Sequence, residues 1–399
     1  MYTFACALAA SIGLLAPGAP QSQVTGRSDD RAVAGSLSVE EIKAALAAPG
    51  AHESLTLERP LGLTDEFADH IPADNPLTPA KVELGRQLYF DKRLSRDNTV
   101  SCATCHDPAK GWADAAPVST GIDGQMGGRS APTVINRVFG LTQFWDGRAA
   151  SLEDQAVGPI ANPIEMGFTL DEAVARLGKI PGYTLQFKAV FGGDPSAARI
   201  GQAIAAFERT IVSGRNKNDY FEQALPFFDY EPDDDEEPEF LATVERVLDQ
   251  EYEHRMSAGA ERGRGLFFGK ASCSSCHVGQ DLTDEAFHNI GIGLEKWDAA
   301  GASPDWGRSV VTDNEADKGA FKTPSVRNIS LTAPYMHDGS LATLMEVVEH
   351  YDKGGTRSPW LSDKIFPLKL TEQEKQDLVQ FMEEALLGPI TEVAVPRLP

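Results

Sequence analysis

The sequence predicts a mainly α-helical fold in which two similar domains follow one another, and three observations support this. Two CxxCH pentapeptides, at 102–106 and 273–277, stand far apart in the 399-residue chain. A similar string precedes each of them, ELGRQLYF at 83–90 and ERGRGLFF at 261–268. An apolar segment with helical periodicity then closes each half. The chain is therefore predicted to contain one small helical domain twice.

The pentapeptides have the pattern of covalent haem attachment. Two cysteines three apart can form thioethers to the vinyl groups of a porphyrin, and the histidine that follows becomes an iron ligand. A zinc site is the competing interpretation, but it needs CxxC pairs about 15 to 20 residues apart or histidines at their own spacing. We therefore expect two haem c groups in two cytochrome c-like domains. The expected attachment residues are Cys102, Cys105 and His106 for the first haem, and Cys273, Cys276 and His277 for the second.

Charge and cysteine content restrict the possible partners. The 36 basic and 59 acidic residues give a net charge of −23, which argues against nucleic acid and favours a basic protein as partner. Four of the five cysteines belong to the haem motifs. Only Cys6 remains, so we expect no disulfide framework.

The first 26 residues predict a secretory signal. An apolar run from Phe4 to Ala16 is too short to span a bilayer, and polar residues without an acidic one follow it. A disordered N-terminus is the alternative. Covalent haem attachment takes place outside the bacterial cytoplasm, so we expect a periplasmic protein without a stable membrane span.

Capping residues predict where two of the helices begin. Ser38 and Glu41 have the spacing of a capping box, as do Thr371 and Glu374. The closing helices are predicted from their apolar positions, which are Ile200, Ile204, Phe207 and Ile211 in the first half and Leu378, Val379, Met382 and Leu386 in the second. The predicted segments are a signal peptide at 1–26, a linker at 27–75, a first domain at 76–224, an acidic insertion or linker at 225–256, and a second domain at 257–399.

The stretch from Asp229 to Glu239 is mostly acidic. A calcium loop of the EF-hand type needs a glycine at its sharp turn and alternating carboxylates, and neither is present. We therefore expect a solvated insertion.

Two long strings resemble the bacterial di-haem cytochrome c peroxidase and MauG family. They are FWDGRAASLEDQAVGPIANPIEM at 144–166 and FKTPSVRNISLTAPYMHDGSL at 321–341, and the resemblance covers roughly residues 76–390 without the acidic insertion. In this family peroxide reacts at the first haem. A histidine blocks that iron in the peroxidases that need reductive activation, and Ile122 stands in its place here. The resemblance therefore implies that His106 is the only protein ligand of the first iron, as in MauG.

The resemblance also implies roles for residues near the first haem. Glu165 matches the acid/base that moves the peroxide proton, and Gln155 matches a pocket amide. Trp145 matches the tryptophan between the two haems. Arg148 is a candidate partner for a haem propionate, because a guanidinium binds carboxylates in a fixed fork. The competing interpretations are a surface or capping glutamate and a tryptophan that only packs.

A calcium ion lies between the two domains in the family. Thr332 and Pro334 match the positions whose carbonyl groups bind it, but Ser130 replaces an asparagine that supplies a side-chain oxygen. A serine hydroxyl is a weaker ligand than an amide carbonyl. Calcium is therefore expected only as a possible second cofactor.

The sixth ligand of the second haem decides between the branches of the family. By its distance from His337, the family ligand matches Tyr351, as in MauG, where the peroxidases have methionine. Met336 and His350 remain alternatives. If Tyr351 is the ligand, His337 is expected to lie near the second haem as a hydrogen-bonding group.

The resemblance thus implies a MauG-like oxidoreductase. Hydrogen peroxide would generate a high-valent state shared by both haems, and this state would oxidise an aromatic residue of a partner protein at long range. Two alternatives remain open. One is a cytochrome c peroxidase that takes electrons from a small cytochrome, and the other is a non-enzymatic electron carrier.

Overall fold

The computed structural model describes residues 35–233, 236–295, 297–299 and 303–399. The predicted signal peptide and Cys6 lie outside these residues. The α-helices are α1 (Val39–Leu46), α2 (Pro79–Phe90), α3 (Cys102–Cys105), α4 (Leu152–Ala161), α5 (Leu170–Leu177), α6 (Pro181–Phe191), α7 (Ala197–Glu208), α8 (Lys217–Ala224), α9 (Pro238–Glu253), α10 (Ala258–Phe267), α11 (Ser309–Thr312), α12 (Leu344–Asp352) and α13 (Glu372–Gln380). Strands β1 (Phe287–His288) and β2 (Phe321–Lys322) pair antiparallel.

Shorter turns of helix join these elements. A π-helical turn, Phe381–Ala385, continues α13. The 3₁₀ turns are Phe67–His70, Lys92–Leu94, Pro108–Lys110, Ile122–Gly124, Arg137–Phe139, Leu225–Phe227, Cys273–Ser275, Glu315–Asp317 and Ile329–Leu331. In the part of the chain that the structure describes, none of the helices has the length and apolar character needed to cross a membrane.

The predicted caps are present. Ser38 and Glu41 form a reciprocal capping box at the start of α1, and Thr371 and Glu374 form another at the start of α13. The predicted closing helix of the first half is α7, although Ile211 lies just beyond its end. These helices therefore begin where side-chain oxygens satisfy free backbone N–H groups.

Each half of the chain has its own hydrophobic core, built on the same helix crossing. In the first, α2 crosses α7 so closely that a Cβ atom on Gly85 would lie 1.8 Å from the carbonyl oxygen of Ala203. In the second, α10 crosses α13, and a Cβ atom on Gly263 would lie 1.9 Å from the carbonyl oxygen of Asp377. The predicted mainly helical fold of two cytochrome c-like units is confirmed. The boundaries at 224 and 257 remain a prediction.

The repetition extends to the loops that precede α4 and α12. Asn136 and Asn328 both adopt left-handed backbone conformations, and so do Phe144 and Met336. A bridge between Gln143 and Ala149 in the first loop matches one between Tyr335 and Leu341 in the second. The two halves therefore share a loop architecture as well as a helix crossing.

The acidic segment contains a helix that the sequence analysis did not predict. Residues 234 and 235 lie outside the described ranges, but α9 begins at Pro238, within the last residues of the acidic stretch. Val244 and Val247 on one face of α9 are buried, and the helix packs against α8. Much of the region is thus folded structure.

The C-terminal tail returns to the first half of the chain. Ile390 and Val393 pack against the first core. The N–H group of Leu37 donates to the carbonyl oxygen of Leu398 at 2.8 Å, and Arg93 donates to the carbonyl oxygen of Pro399 at 2.9 Å. The tail therefore covers the first core although it follows the second in sequence.

Candidate functional site

One cavity of about 630 Å³ brings the predicted site residues together. It is lined by elements of both halves. Of the candidate site residues named from the sequence, Cys102, Ile122 and His350 do not line it. The predicted residues that do line it are Cys105, His106, Ser130, Trp145, Arg148, Gln155, Glu165, Cys273, Cys276, His277, Thr332, Pro334, Met336, His337 and Tyr351.

The two motif histidines are prepared to ligate iron through one nitrogen. His106 Nδ1 lies 3.4 Å from the carbonyl oxygen of Trp112, and His277 Nδ1 lies 2.9 Å from that of Leu282. This leaves Nε2 of each ring free for a metal. Burial lowers the pKa of both imidazoles, which favours the neutral form that binds iron. The four motif cysteines are free thiols, so the residues present fit two covalently attached haems.

Glu165 is held in a loop that begins where α4 ends. Pro163 disfavours a helical conformation for Asn162, which is extended and ends the helix. Asn162 then donates from Nδ2 to Glu165 Oε1 at 2.8 Å. Burial raises the pKa of Glu165, while the charge of Arg148 and the Asn162 bond oppose this rise. The result is a carboxyl group poised to exchange a proton at the cavity wall.

Ile122 packs against the Glu165 loop. Its side chain is fully buried, and its N–H group donates to the carbonyl oxygen of Glu165 at 2.9 Å. A Cβ atom on Gly121 would lie only 2.0 Å from the carbonyl oxygen of Ile164, so the two segments are in close contact. The residue in the position of the family's blocking histidine is thus an aliphatic core residue without a donor atom.

Trp145 lies where the two repeated loops meet. Its Nε1 donates to the carbonyl oxygen of Ser130 at 2.9 Å. Two backbone hydrogen bonds then join the halves reciprocally. The N–H group of Lys322 donates to the carbonyl oxygen of Trp145 at 2.8 Å, and that of Ser130 donates to the carbonyl oxygen of His337 at 2.7 Å. Trp145 and His337 therefore occupy equivalent places on either side of this junction.

Arg148 has protein partners at the cavity. Its guanidinium lies 3.0 Å from both carboxylate oxygens of Asp146 and 3.6 Å from the ring centre of Phe144. Asp146 is buried and also accepts a bond of 2.6 Å from Arg129. A propionate contact for Arg148 remains a prediction, and Asp146 would share the guanidinium with it.

Tyr351 and the two alternative ligands of the second haem, Met336 and His350, occupy different environments. Tyr351 lies near the end of α12 and lines the cavity, and its hydroxyl has no hydrogen bond to any residue that the structure describes. Burial raises its pKa. His350 does not line the cavity, and its Nε2 lies 2.8 Å from the carbonyl oxygen of Ile290. Met336 does line it. The geometry thus argues against His350 and leaves Tyr351 and Met336.

His337 and the possible calcium ligands lie beside this pair. The imidazole of His337 stacks on Phe321 with 3.6 Å between ring centres, and burial lowers its pKa to about 4. The expected hydrogen bond from this ring is not seen among the described residues. Ser130, Thr332 and Pro334 line one cavity, as a shared cation would require. Calcium remains a prediction.

The structure adds residues that the sequence analysis missed. Asn162 orients Glu165, and its position three residues earlier is a turn signal that could have revealed it. Lys322 lines the cavity, and burial lowers its pKa to about 7. Glu208 also lines the cavity, and an acidic residue in the apolar segment that forms α7 was an available sign.

The duplicated helix crossing and the two haem attachment motifs on one cavity define a di-haem protein of the c type. The chain belongs to the di-haem cytochrome c peroxidase family, whose model matches residues 79–224. It is 40% identical over 330 residues to the methylamine utilization protein MauG of Methylorubrum extorquens, covering 82% of this chain and 84% of that protein. It is 37% identical to cytochrome-c peroxidase IdrP1 of Denitromonas iodatirespirans, covering 78% and 83%.

A solved structure agrees with this assignment. A MauG-like protein associated with microbial copper homeostasis has 33% sequence identity and a TM-score of 0.67, covering 80% of this chain and 92% of that one. The protein is therefore an oxidoreductase that depends on hydrogen peroxide and carries two covalently bound haem c groups. An electron carrier without enzymatic activity is excluded.

Proposed function

We propose that this protein is a MauG-like enzyme that uses hydrogen peroxide to oxidise an aromatic side chain of a partner protein at long range. The observation that carries the proposal is the place of Tyr351. Tyr351 lines the cavity beside the second haem attachment motif, and its hydroxyl has no hydrogen bond to any described residue, while His350 does not line the cavity and lies with its Nε2 2.8 Å from the carbonyl oxygen of Ile290. A tyrosine ligand distinguishes this branch of the family from the peroxidases with methionine.

The first half of the site suits direct reaction with peroxide. When bound, the haem supplies the redox-active iron at which peroxide is reduced. Glu165 takes the proton from one peroxide oxygen and returns it to the other, and Gln155 orients the molecule through its amide. Ile122 offers no atom that can ligate iron. Access to the first iron therefore does not depend on prior reduction.

The second half suits the storage of oxidising equivalents. A phenolate ligand donates charge to iron and favours its oxidised states, whereas a thioether ligand raises the potential. Burial keeps the proton on an uncoordinated Tyr351, and binding to a cation releases it. Trp145, bonded to both halves of the chain, is the relay for electrons between them. The partner then loses its two electrons without entering the cavity.

The proposed partner rests on the net charge of the chain and on the names of similar proteins. A net charge of −23 attracts a protein with a basic surface. The names of two similar proteins, one in methylamine utilization and one associated with copper homeostasis, suggest the first partners to test. We further propose that the protein is periplasmic and that Ser130, Thr332 and Pro334 bind calcium.

A second candidate function is that of a cytochrome c peroxidase. Met336 also lines the cavity, and cytochrome-c peroxidase IdrP1 is a similar protein over most of its length. With Met336 as ligand, the second haem would accept electrons from a small cytochrome and pass them through Trp145 to peroxide.

Spectra of two variants separate these candidates. We expect Tyr351→His to change the ferric electron paramagnetic resonance signal of the second haem, and Met336→Leu, the matched control, to leave it unchanged. Mössbauer spectra after one equivalent of peroxide should show both irons oxidised in the wild type and only one in Tyr351→His. A low-spin His/Met signal that Met336→Leu removes, with rapid turnover of reduced cytochrome c, would establish the peroxidase instead.

A further inference from the structure

Glu208 is a buried acidic residue that takes no part in the reaction described above. It ends α7, is 5% exposed, and lines the cavity. Its Oε2 atom is buried without a hydrogen-bond partner among the residues of the described ranges. Burying a carboxyl group without a partner costs free energy, so such a group in a folded protein calls for a functional explanation.

The internal repeat shows that packing does not require this carboxyl group. Phe207 contacts the glycine at the crossing of α2 and α7, and Phe381 does the same at the crossing of α10 and α13. The next residue is Glu208 in the first half and Met382 in the second, and both line the cavity. A thioether side chain therefore satisfies the fold at this position, and the carboxyl group is particular to the first haem site.

The positive groups near Glu208 are already paired with other carboxylates. Arg209 donates to both oxygens of Glu153 at 2.7 and 3.0 Å. Arg137 donates to Glu285 at 2.8 Å. These pairs leave little net charge to hold Glu208 in its ionised form. Burial accordingly raises its pKa to about 8, against the opposing charges of the two arginines.

The remaining titratable neighbours are neutral near pH 7. They are Tyr89 on α2 and Cys102 on α3, whose pKa values burial raises. Cys102 becomes a thioether when haem is attached. Glu208 lies close enough to Cys102 to influence its pKa, so a haem attached there would change its charge near Glu208 when it gains or loses an electron.

We propose that Glu208 exchanges a proton with solvent as the first haem changes its redox state. When a one-electron reductant reduces the ferric haem, Glu208 takes up one proton, and when the haem loses that electron, Glu208 releases the proton. Each step transfers one electron and one proton, so the charge inside the pocket stays constant. In a medium of low dielectric constant this compensation favours the electron transfer.

The sign of the resulting pH dependence is fixed. The reduced state binds the proton more tightly, so reduction becomes harder as pH rises through the pKa of Glu208. The affinity of the first haem for an electron should then fall by up to tenfold per pH unit, which is 59 mV for a one-electron couple. Well below pH 8 the group is protonated in both states and the potential levels off. This inference does not depend on the identity of the partner protein.

Redox titrations of the holoenzyme at a series of pH values test the proposal. The spectroscopic signal of the first haem monitors its reduction in each titration. We expect wild type to show the alkaline fall, and both Glu208→Gln and Glu208→Met, the latter carrying the residue of the second half, to show a flat potential. Glu251→Gln is the matched control, because Glu251 is also 5% exposed but does not line the cavity.

Infrared difference spectra of reduced minus oxidised protein provide an independent readout. At a pH above 8, where Glu208 of the oxidised protein is ionised, a C=O band of a protonated carboxyl group should appear on reduction in wild type and in Glu251→Gln, and it should be missing in Glu208→Gln. Haem content is measured for every variant, so a folding defect is recognised. A wild-type potential independent of pH, or a Glu208→Gln variant that keeps the alkaline fall and the band, overturns the proposal.

Discussion

At the scale of single residues, Glu165 is the group whose chemistry can be tested most directly. We expect Glu165→Gln to slow the reaction of the ferric enzyme with peroxide about 10²- to 10⁴-fold, because the amide cannot accept the proton. Stopped-flow absorption measures the rate, and the exposed Glu295→Gln is the control. Equal rates for wild type and Glu165→Gln would remove the acid/base role.

The hydrogen bond from Asn162 predicts a shift in the pH profile. Glu165 must be ionised to accept a proton, so the peroxide rate falls as pH drops through its pKa. Burial raises that pKa and the Asn162 bond lowers it. In Asn162→Ala the pKa rises further, so the acidic limb of the rate profile should move to higher pH. A limb that stays in place or moves to lower pH contradicts this account.

Residues of the attachment motifs could be predicted from sequence because haem attachment depends on neighbours within five positions. The sequence offered a sign of Glu208 but not its significance, which lies in the lack of a hydrogen-bond partner among the described residues and in Met382 at the equivalent place. Both observations need the packed structure. The choice between Tyr351 and His350 also needed it, since only contacts show that His350 is bonded to Ile290.

At the scale of elements, two glycines of α10 provide a matched pair. A Cβ atom on Gly263 would lie 1.9 Å from the carbonyl oxygen of Asp377, whereas one on Gly265 would meet nothing within 4 Å. Gly263→Ala should destabilise the protein by about 1–3 kcal/mol, because α10 and α13 must separate. Gly265→Ala should stabilise it by about 0.5–1 kcal/mol through helix propensity.

Denaturant unfolding of the holoenzyme measures both variants. The opposite signs within one helix are the decisive result, since a loss of stability in both would indicate that α10 tolerates no change at either position.

Caps made helices such as α1 and α13 predictable from sequence. Helix α9 was missed because it starts at a proline inside a strongly acidic stretch, and its buried valines lie farther along the chain.

At the scale of the whole molecule, a buried ion pair joins distant segments. Arg327 and Asp219 are 4% and 3% exposed in their side chains and lie 2.7 Å apart, and Arg327 also donates to the carbonyl oxygen of Gly62. Arg327→Met leaves Asp219 buried without its counter-ion, which should cost about 3–5 kcal/mol. Urea unfolding with haem attached measures this loss.

An exposed pair provides the comparison. Lys188 and Asp194 lie 3.4 Å apart with most of both side chains in solvent. Lys188→Gln should change the free energy of unfolding by no more than about 1 kcal/mol. If Arg327→Met proves as mild as Lys188→Gln, the pair does not hold these segments together. The sequence predicted none of this network, because its members are separated by long stretches of chain.

The return of residues 390–399 to the first half has a consequence for biosynthesis. Domains usually fold in the order in which the ribosome makes them, with the N-terminal one first. Here Ile390 and Val393 cover a core whose helices were translated long before. The first core thus stays incomplete until residues 390 to 399 reach it. A premature stop codon just before residue 390 would yield a chain with both attachment motifs and an apolar surface that nothing covers.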